Sequence, residues 1–177
     1  GFCGWPTALK LSKNKHEVLI IDNLLRRTID KELGVLPLTP IKTISERIKK
    51  WKEVSGREIE FLNIDVSKEF IKLLDCFKSF KPDAVVHFAE QRSAPYSMIS
   101  PSHKSFTITN NLNATNNILS AIVESKIDIH MIHLGSTGYY GYSNIGLKIP
   151  EGYLKVYVNA KGEKKELEIL YPPNPGS

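Results

Sequence analysis

The chain has little cysteine and no long apolar run, and both features narrow what it can be. Cys3 and Cys76 are its two cysteines, too few for a disulfide framework or a cysteine-rich zinc site. A reducing, cytoplasmic location is therefore the expectation. No apolar stretch approaches the roughly 18 residues that a transmembrane helix needs, so we expect no membrane partner. Hydrophobic residues still make up 41% of the 177 residues, enough for a folded core.

Basic residues are concentrated in one segment. The formal net charge is +5, and residues 24–57 (the basic segment) hold nine basic residues against four acidic ones, so the rest of the chain is balanced. Such a patch attracts phosphate groups, including those of a nucleotide. A nucleic-acid interface would also need interleaved aromatic residues or a recognition-helix motif, and the sequence has neither. We expect no nucleic-acid partner.

Helix-like and strand-like patterns alternate along the chain. Short apolar runs predict buried strands at 17–21, 59–64, 83–89 and 127–134. Helices are predicted at about 4–13, from a capping box at Thr43, from a Ser67 cap to about Phe80, and at about 101–125. The alternation predicts an α/β fold, a Rossmann-like doubly wound parallel sheet with ligands at the carboxyl ends of its strands. Residues 153–170 predict a β-hairpin near the C-terminus.

Two glycines lead into the first predicted helix. Gly1 and Gly4 flank Phe2 and Cys3, and Asp22 ends a predicted strand about 18 residues later. In a dinucleotide-binding unit the glycines allow the backbone to approach the pyrophosphate at a helix N-terminus. An acidic residue about 20 positions further on binds the adenosine ribose. The spacing predicts an NAD site, and the Asp22 carboxylate disfavours the 2′-phosphate of NADP.

The glycine motif ordinarily follows a strand, which predicts that the N-terminal strand of the sheet is missing and that the chain is a fragment. We predict an NAD-binding Rossmann domain over residues 1–145, with the basic segment inserted in it. Residues 146–177 are predicted to form a hairpin and a linker toward a catalytic helix and a substrate domain. His130 and His133 lack a metal-ligand spacing, and no metal is expected.

Three motifs resemble the extended short-chain dehydrogenase/reductase superfamily. They are Asp83-Ala-Val-Val-His-Phe-Ala89, Asn111-Leu-Asn-Ala-Thr-Asn-Asn-Ile-Leu119 and Leu134-Gly-Ser-Thr-Gly-Tyr-Tyr-Gly141. A narrower set resembles the UDP-sulfoquinovose synthase family within the NAD-dependent epimerases and dehydratases. That set is Gly1-Phe-Cys-Gly-Trp5, Asp22-Asn-Leu-Leu-Arg-Arg27, Leu38-Thr-Pro-Ile41, Arg47-Ile-Lys-Lys-Trp51 and Glu90-Gln-Arg-Ser-Ala-Pro-Tyr-Ser-Met98.

The resemblance implies a set of site residues. Ser136 would be catalytic. Residues implied to bind or support the cofactor are Gly1, Phe2, Cys3, Gly4, Asp22, Asn23, Arg26, Arg27, Asp65, Val66, Phe88, Ala89, Arg92 and Asn111. Residues implied to bind the substrate are Gln91, Arg92, Ser136 and Thr137.

The resemblance also implies a reaction between UDP-glucose and sulfite in a homodimeric enzyme. C4 of the glucose is oxidised with NAD as the hydride acceptor, water is lost from C5 and C6, sulfite adds to C6, and C4 is reduced again. This chemistry needs a Tyr-x-x-x-Lys pair after the proline-rich end of the sequence, and no Tyr-x-x-x-Lys pair before Ser177 fits that place. The acid expected at position 139 is replaced by Tyr139, which leaves the acid/base for dehydration open. The alternatives are a UDP-glucose 4-epimerase-like enzyme and a non-catalytic NAD- or nucleic-acid-binding domain.

Overall fold

A computed structural model describes residues 1–135 and 153–170, and the chain separates into two units, Gly1–His133 and Leu134–Ser177. In the first unit helices and short strands alternate, as predicted. Its elements, in chain order, are α1 (Gly4–Lys13), β1 (Leu19–Ile21), α2 (Leu25–Glu32), α3 (Ile44–Ser55), β2 (Glu60–Leu62), α4 (Phe70–Phe80), β3 (Ala84–His87), α5 (Ala94–Ser97), α6 (Pro101–Ser125) and β4 (His130–His133). The domain boundary predicted at 145/146 lies outside the described residues and stays a prediction.

The strands of this unit form two parallel ladders. β1 pairs with β2 so that Leu19 lies opposite Glu60 and Ile21 opposite Leu62. β3 pairs with β4 so that Ala84 lies opposite His130 and His87 opposite His133. Among the described residues no strand hydrogen bonds join one ladder to the other. Parallel pairing in both ladders agrees with the predicted doubly wound fold.

The basic segment between β1 and β2 carries two helices. α3 begins with the predicted capping box, in which Thr43 Oγ1 accepts from the Glu46 N–H and the Glu46 carboxylate accepts from the Thr43 N–H. α2 was not predicted. It follows Leu24, which has a left-handed φ of 57° and provides no side-chain cap, so the usual sequence signal for a helix start is missing.

Two apolar clusters hold these elements together. One lies between α4 and α6 and contains Leu73, Phe77, Ala114, Ile118 and Ala121 among its buried members. The alanines on α6 are fully buried, so α4 can approach closely. The other is built from Ala8, Val18 and Ile59, with Ile48 and Trp51 of α3 packed against it. The second cluster therefore docks the basic segment on α1.

The predicted start of α4 at Ser67 is wrong. Ser67 donates through its N–H and its hydroxyl to Asp65 Oδ1, and the helix begins at Phe70 after Glu69. Local hydrogen bonds between the side chains and backbone of Asp and Ser are an alternative to helix capping and commonly form tight turns. Ser67 therefore stabilises the turn after β2.

The second unit contains the predicted hairpin. β5 (Tyr153–Ala160) and β6 (Glu163–Leu170) pair antiparallel, with Ala160 opposite Glu163. The two connecting residues, Lys161 and Gly162, have φ of 53° and 85°, the positive values of a two-residue type I′ turn. Among the described residues, no helix has both the length and the apolar character needed to cross a membrane.

Candidate cofactor and substrate site

The N-terminus of α1 lies beside the end of β3. Gly4 begins α1, and a Cβ atom built on it would lie 3.8 Å from Phe88 Cδ2. Phe2 and Cys3 are exposed just before the helix, where the first N–H groups have no partner within the helix. These features fit the predicted role of Gly1 to Gly4 in holding a pyrophosphate through backbone amides.

The turn after β1 is fixed by its own side chains. Asp22 Oδ1 accepts from the Leu24 N–H at 2.6 Å, and Asn23 Oδ1 accepts from the Leu25 N–H at 3.0 Å. These bonds hold Leu24 in its left-handed conformation. Asp22 therefore stands at the carboxyl end of β1, where a ribose-binding carboxylate is expected.

Asp65 connects this turn to the end of β2. Burial by itself would raise the pKa of Asp65, but hydrogen bonds from Ser67 and Asn23 outweigh it and lower the pKa below its ordinary value. Val66, the next residue, is buried, and its carbonyl accepts from Asn117 Nδ2 at 2.9 Å. The structure thus brings together the residues predicted at the adenosine side: Asp22, Asn23, Asp65 and Val66.

Arg26 and Arg27 are both engaged by Asp30. Arg26 Nε lies 3.0 Å from Asp30 Oδ1, and Arg27 Nη1 lies 3.2 Å from Asp30 Oδ2. Lys42, Lys50 and Lys52 of the basic segment form ion pairs with Glu46, Glu53 and Glu58, respectively. Five of the nine basic residues of the segment are thus ion-paired, but of their partners only Glu58 lies outside the segment, so most of its excess positive charge remains.

The loop after β3 is shaped by Gln91 and Asn111. Asn111 Oδ1 accepts from the Gln91 N–H at 2.8 Å, and Asn111 Nδ2 donates to the Gln91 carbonyl at 2.9 Å. The Gln91 side chain is buried and donates to the Ser93 carbonyl and to Thr107 Oγ1. In this structure both side chains position the loop, and their direct contact with substrate or cofactor stays a prediction. Arg92, the residue after Gln91, is exposed.

A hydrogen-bonded network lies at the carboxyl ends of β3 and β4. The His87 ring is fully buried, and burial lowers its pKa, so it is neutral. His87 Nδ1 accepts from the Ala89 N–H, which leaves Nε2–H to donate to Thr115 Oγ1 at 3.1 Å. The Thr115 hydroxyl in turn donates to Glu90 Oε1, and His133 Nε2 lies 3.8 Å from the same oxygen. The network fixes the Glu90 carboxylate beside the loop that carries Gln91 and Arg92.

His87, Glu90 and His133 have the side-chain types of a metal site, and their ligand atoms lie within 4.8 Å of one another. Hydrogen bonds already engage both nitrogens of His87. A neutral imidazole has one lone pair for a metal, and here it accepts from Ala89. In this arrangement His87 has no lone pair left for a metal, and its contact with Glu90 runs through the Thr115 hydroxyl.

A second network, which sequence reasoning missed, joins α2 to α5 and α6. Glu32 accepts from the Tyr96 hydroxyl at 2.8 Å and lies 2.7 Å from His103 Nε2. The Tyr96 and His103 rings meet edge to face, 4.8 Å between centroids. Tyr96 lies in the Glu90–Met98 run, but nothing in the sequence indicates that Glu32 is its partner. The other predicted catalytic and substrate residues, Ser136 and Thr137, lie outside the described residues.

A sequence profile described as "NAD dependent epimerase/dehydratase family" matches residues 1–160. The chain belongs to this family. The expected cofactor, NAD, agrees with the description of the family.

Relatives within the family confirm the resemblance to UDP-sulfoquinovose synthases. The chain is 46% identical to the chloroplastic UDP-sulfoquinovose synthase of Spinacia oleracea over 161 residues, which cover 91% of this chain and 33% of that protein. It is 40% identical to the UDP-sulfoquinovose synthase of Sulfolobus acidocaldarius over 179 aligned positions, 100% of this chain and 44% of that protein. The chain thus spans less than half the length of either relative.

Solved structures confirm the Rossmann-like fold. The UDP-Glc/GlcNAc 4-epimerase of Campylobacter jejuni superposes with a TM-score of 0.60 at 20% identity, covering 95% of this chain and 41% of that one. At 20% identity this similarity supports the fold and nothing more specific.

Proposed function

We propose that the chain is the nucleotide-binding part of a UDP-sulfoquinovose synthase, an enzyme that converts UDP-glucose and sulfite to UDP-sulfoquinovose. The observation that carries the proposal is the 46% identity to the spinach enzyme over 91% of the chain. Identity at that level, together with membership in an NAD-dependent family, supports a UDP-sugar as the substrate class and UDP-glucose as the substrate.

The residues at the ends of α1, β1 and β2 fit NAD. α1 offers backbone N–H groups beside glycines, which suits a pyrophosphate, and Asp22 offers a carboxylate at the end of β1, which suits ribose hydroxyls. When bound, NAD supplies reversible hydride transfer at C4 of the sugar. The residues that we propose to hold it are Gly1, Phe2, Cys3, Gly4, Asp22, Asn23, Arg26, Arg27, Asp65, Val66, Phe88, Ala89, Arg92 and Asn111.

The loop after β3 supports binding of an anionic substrate. Arg92 is exposed in this loop. The Asn111 side chain holds the loop backbone by hydrogen bonds to the N–H and the carbonyl of Gln91. A guanidinium there can bind sulfite, or the sulfonate formed from it, through charge-assisted hydrogen bonds. Glu90, fixed by Thr115, stands next to this loop as a carboxylate. The proposal that sulfite is a substrate is supported by the exposed Arg92 guanidinium and by the similarity to UDP-sulfoquinovose synthases.

Ser136 and Thr137 follow β4 and complete the proposal. Hydroxyl groups at the carboxyl end of this strand suit orientation of the C4 oxygen, because active sites of doubly wound sheets lie at this edge. Ser136 is the proposed catalytic residue, and Thr137, Gln91 and Arg92 are proposed to bind the substrate.

The test is to incubate the full-length protein with UDP-glucose and sulfite and to identify the product by mass spectrometry. A sulfonated UDP-sugar is the expected product, and Ser136→Ala is expected to lower kcat at least tenfold. UDP-galactose without a sulfonated product would instead support the 4-epimerase alternative and overturn the proposal.

The proposed assembly is a homodimer, supported by the surface of α6. Ile108, Leu112, Leu119 and Val123 are exposed on this helix, at 54%, 66%, 49% and 72%. Their spacing places them along one face, and apolar, weakly charged faces suit self-association. Sedimentation equilibrium of wild type and Leu112→Glu tests this, with a shift from dimer to monomer as the expected result.

The proposed location is the cytoplasm, although the spinach relative is chloroplastic by name. Its support is the state of the thiols, because Cys3 and Cys76 are both free.

A further inference from the structure

Glu90 stands at the carboxyl end of β3, in the loop that carries the proposed sulfite-binding residue. It follows the last residue of the strand, His87, by three positions and precedes Arg92 by two. Its N–H donates to the Phe88 carbonyl at 2.9 Å, which forms a tight turn at the start of the loop. The family resemblance implies roles for Gln91 and Arg92 and none for Glu90. A carboxylate therefore lies at the proposed substrate edge of the sheet without an assigned role.

One oxygen of the Glu90 carboxylate is anchored by the protein. The Thr115 hydroxyl donates to Oε1 at 3.4 Å, and the Nε2 atoms of His87 and His133 lie 3.7 and 3.8 Å from the same oxygen. The side chain is 31% exposed, and in the described part of the chain no donor lies within hydrogen-bonding distance of Oε2. Glu90 is thus held through one oxygen, while the other can exchange a proton with a bound molecule.

The neighbours of this carboxylate do not neutralise it. His87 is uncharged because burial lowers its pKa. Within residues 1–135 and 153–170, Glu90 forms no ion pair with a lysine or an arginine. By contrast, Asp30, Asp65 and Glu69 are each paired with a lysine or an arginine. A nearby cation stabilises the ionised carboxylate and makes it a weaker proton acceptor, so Glu90 is better suited to accept a proton than these three residues.

The dehydration step of the proposed reaction requires such a group. Once C4 of the sugar is a ketone, the C5–H bond is acidic, and loss of water then needs a base at C5 and an acid at the C6 hydroxyl. The acid expected at position 139 is replaced by Tyr139, so a different group is required. Sulfite adds to C6 in the next step, which means that the group acting on the C6 hydroxyl lies beside the sulfite site. Glu90 meets this condition because Arg92 is in the same loop.

We propose that Glu90 is the catalytic acid/base for dehydration of the sugar. Its carboxylate accepts the proton from C5, and the electron pair of that bond forms the C5–C6 double bond. The C6–O bond breaks with its electron pair on oxygen, and the proton passes from Glu90 to this oxygen. Water leaves, the carboxylate is restored, and no oxidant or reductant is consumed. C6 is exocyclic and rotates, so its hydroxyl can lie on the same side as the C5 proton.

This inference rests on the proposed function, because the C4 ketone has to form first. The experiment uses the full-length protein with NAD bound. Glu90→Gln keeps an oxygen that can accept from Thr115 but cannot take up the proton, and Glu90→Asp keeps the carboxyl group on a shorter side chain. Glu124→Gln is the matched control, because it removes one carboxylate from an exposed position of α6.

Two steps are followed separately after addition of UDP-glucose without sulfite. The absorbance of NADH reports the oxidation of C4, and mass spectrometry of the quenched sugar shows whether water has been lost. With sulfite present, kcat and KM are measured for formation of the sulfonated sugar. Melting temperatures report whether each variant is folded.

We expect Glu90→Gln to lower kcat for the sulfonated sugar by about 10²- to 10⁴-fold with little change in KM, because general acid–base catalysis contributes a factor of that size. Without sulfite it should still form NADH, and its quenched sugar should be a ketone that has kept its water, whereas the wild type loses it. Glu90→Asp should slow the loss of water and leave C4 oxidation unchanged. Glu124→Gln should match the wild type in both steps.

Three results would overturn the inference. If Glu90→Gln forms the sulfonated sugar at the wild-type rate, another group is the acid/base, and the proposed function stands. If the Glu90 variants slow C4 oxidation as much as dehydration, the role of Glu90 is structural, and Glu90→Asp decides this point should Glu90→Gln fail to fold. A wild type that forms UDP-galactose and no sulfonated sugar would overturn the proposed function together with the inference.

Discussion

His103 Nε2 lies 2.7 Å from Glu32 Oε1, although the two residues are 71 positions apart in sequence. The contact joins α6 to the basic segment, and Tyr96 donates to the other oxygen of the same carboxylate. Since Tyr96 belongs to α5, directly after the loop with Gln91 and Arg92, Glu32 connects α2 to the loop that is predicted to bind the substrate.

Glu32→Gln should reduce stability in a pH-dependent way. Hydrogen bonds from His103 and Tyr96 lower the pKa of Glu32 in the folded state. Its stabilising contribution is therefore present above the ordinary carboxyl pKa, about 4.3, and is lost as pH falls through the lower folded value. The difference in melting temperature between wild type and Glu32→Gln should shrink from about pH 6 to about pH 3. Glu124→Gln, at an exposed position of α6, should show no difference at either end, and a gap independent of pH would contradict the prediction.

Thr115→Val should destabilise the fold and release Glu90. The substitution keeps the shape of the side chain but removes the acceptor for the buried His87 Nε2–H, at a cost of about 1–3 kcal/mol in the free energy of unfolding. Urea denaturation measures this cost. Thr109→Val, on the exposed side of α6, is the control and should change stability by less than about 0.5 kcal/mol. A fully stable Thr115→Val variant would show that the hydrogen bond contributes nothing.

Asn111→Ala should impair the loop after β3 more than the fold. The substitution removes the two hydrogen bonds that hold the Gln91 peptide, and small displacements of positioning residues cost about 10- to 100-fold in rate. We expect kcat/KM for UDP-glucose and sulfite to fall by that factor in the full-length enzyme. Asn116→Ala, exposed on the same helix, should retain activity, and equal activity in both variants would contradict the positioning role.

Trp51 and Ser12 should be energetically coupled. Trp51→Phe leaves the buried Ser12 hydroxyl without its donor and should cost about 1–3 kcal/mol in the free energy of unfolding. Ser12→Ala should cost less in the Trp51→Phe background than in wild type, because the hydrogen bond is already lost. A double-mutant cycle by urea denaturation measures the difference. Additive effects would show that α3 is docked on α1 by apolar packing alone.

Most of the helices could be predicted from the sequence because they carry local signals. α1, the capping box of α3 and the full length of α6 agree with the prediction. The signals failed where a side chain has a competing partner. Ser67 was predicted as a helix cap but donates to Asp65, and the N-cap position of α2 is held by Leu24, whose side chain cannot accept a hydrogen bond.

The site was predictable to the extent that its residues follow strands. Asp22, Asp65 and the loop after His87 each come directly after a strand, and a parallel sheet brings such ends to one edge. The network around Glu32 was missed because this residue lies on a helix, among other charged residues. Its distinction is tertiary, since it is paired with a histidine of α6.

Asp30 has a consequence for how the proposed adenosine side would bind NAD. Its carboxylate holds Arg26 and Arg27 at 3.0 and 3.2 Å and is itself largely buried. Two long side chains that would otherwise sample many rotamers are ordered when the protein folds, so association with an anion loses less conformational entropy. Substituting Asp30 would leave both positive charges in place while making them flexible. Rigidity of the cations, as distinct from their number, is what this one aspartate would contribute to the proposed binding of NAD.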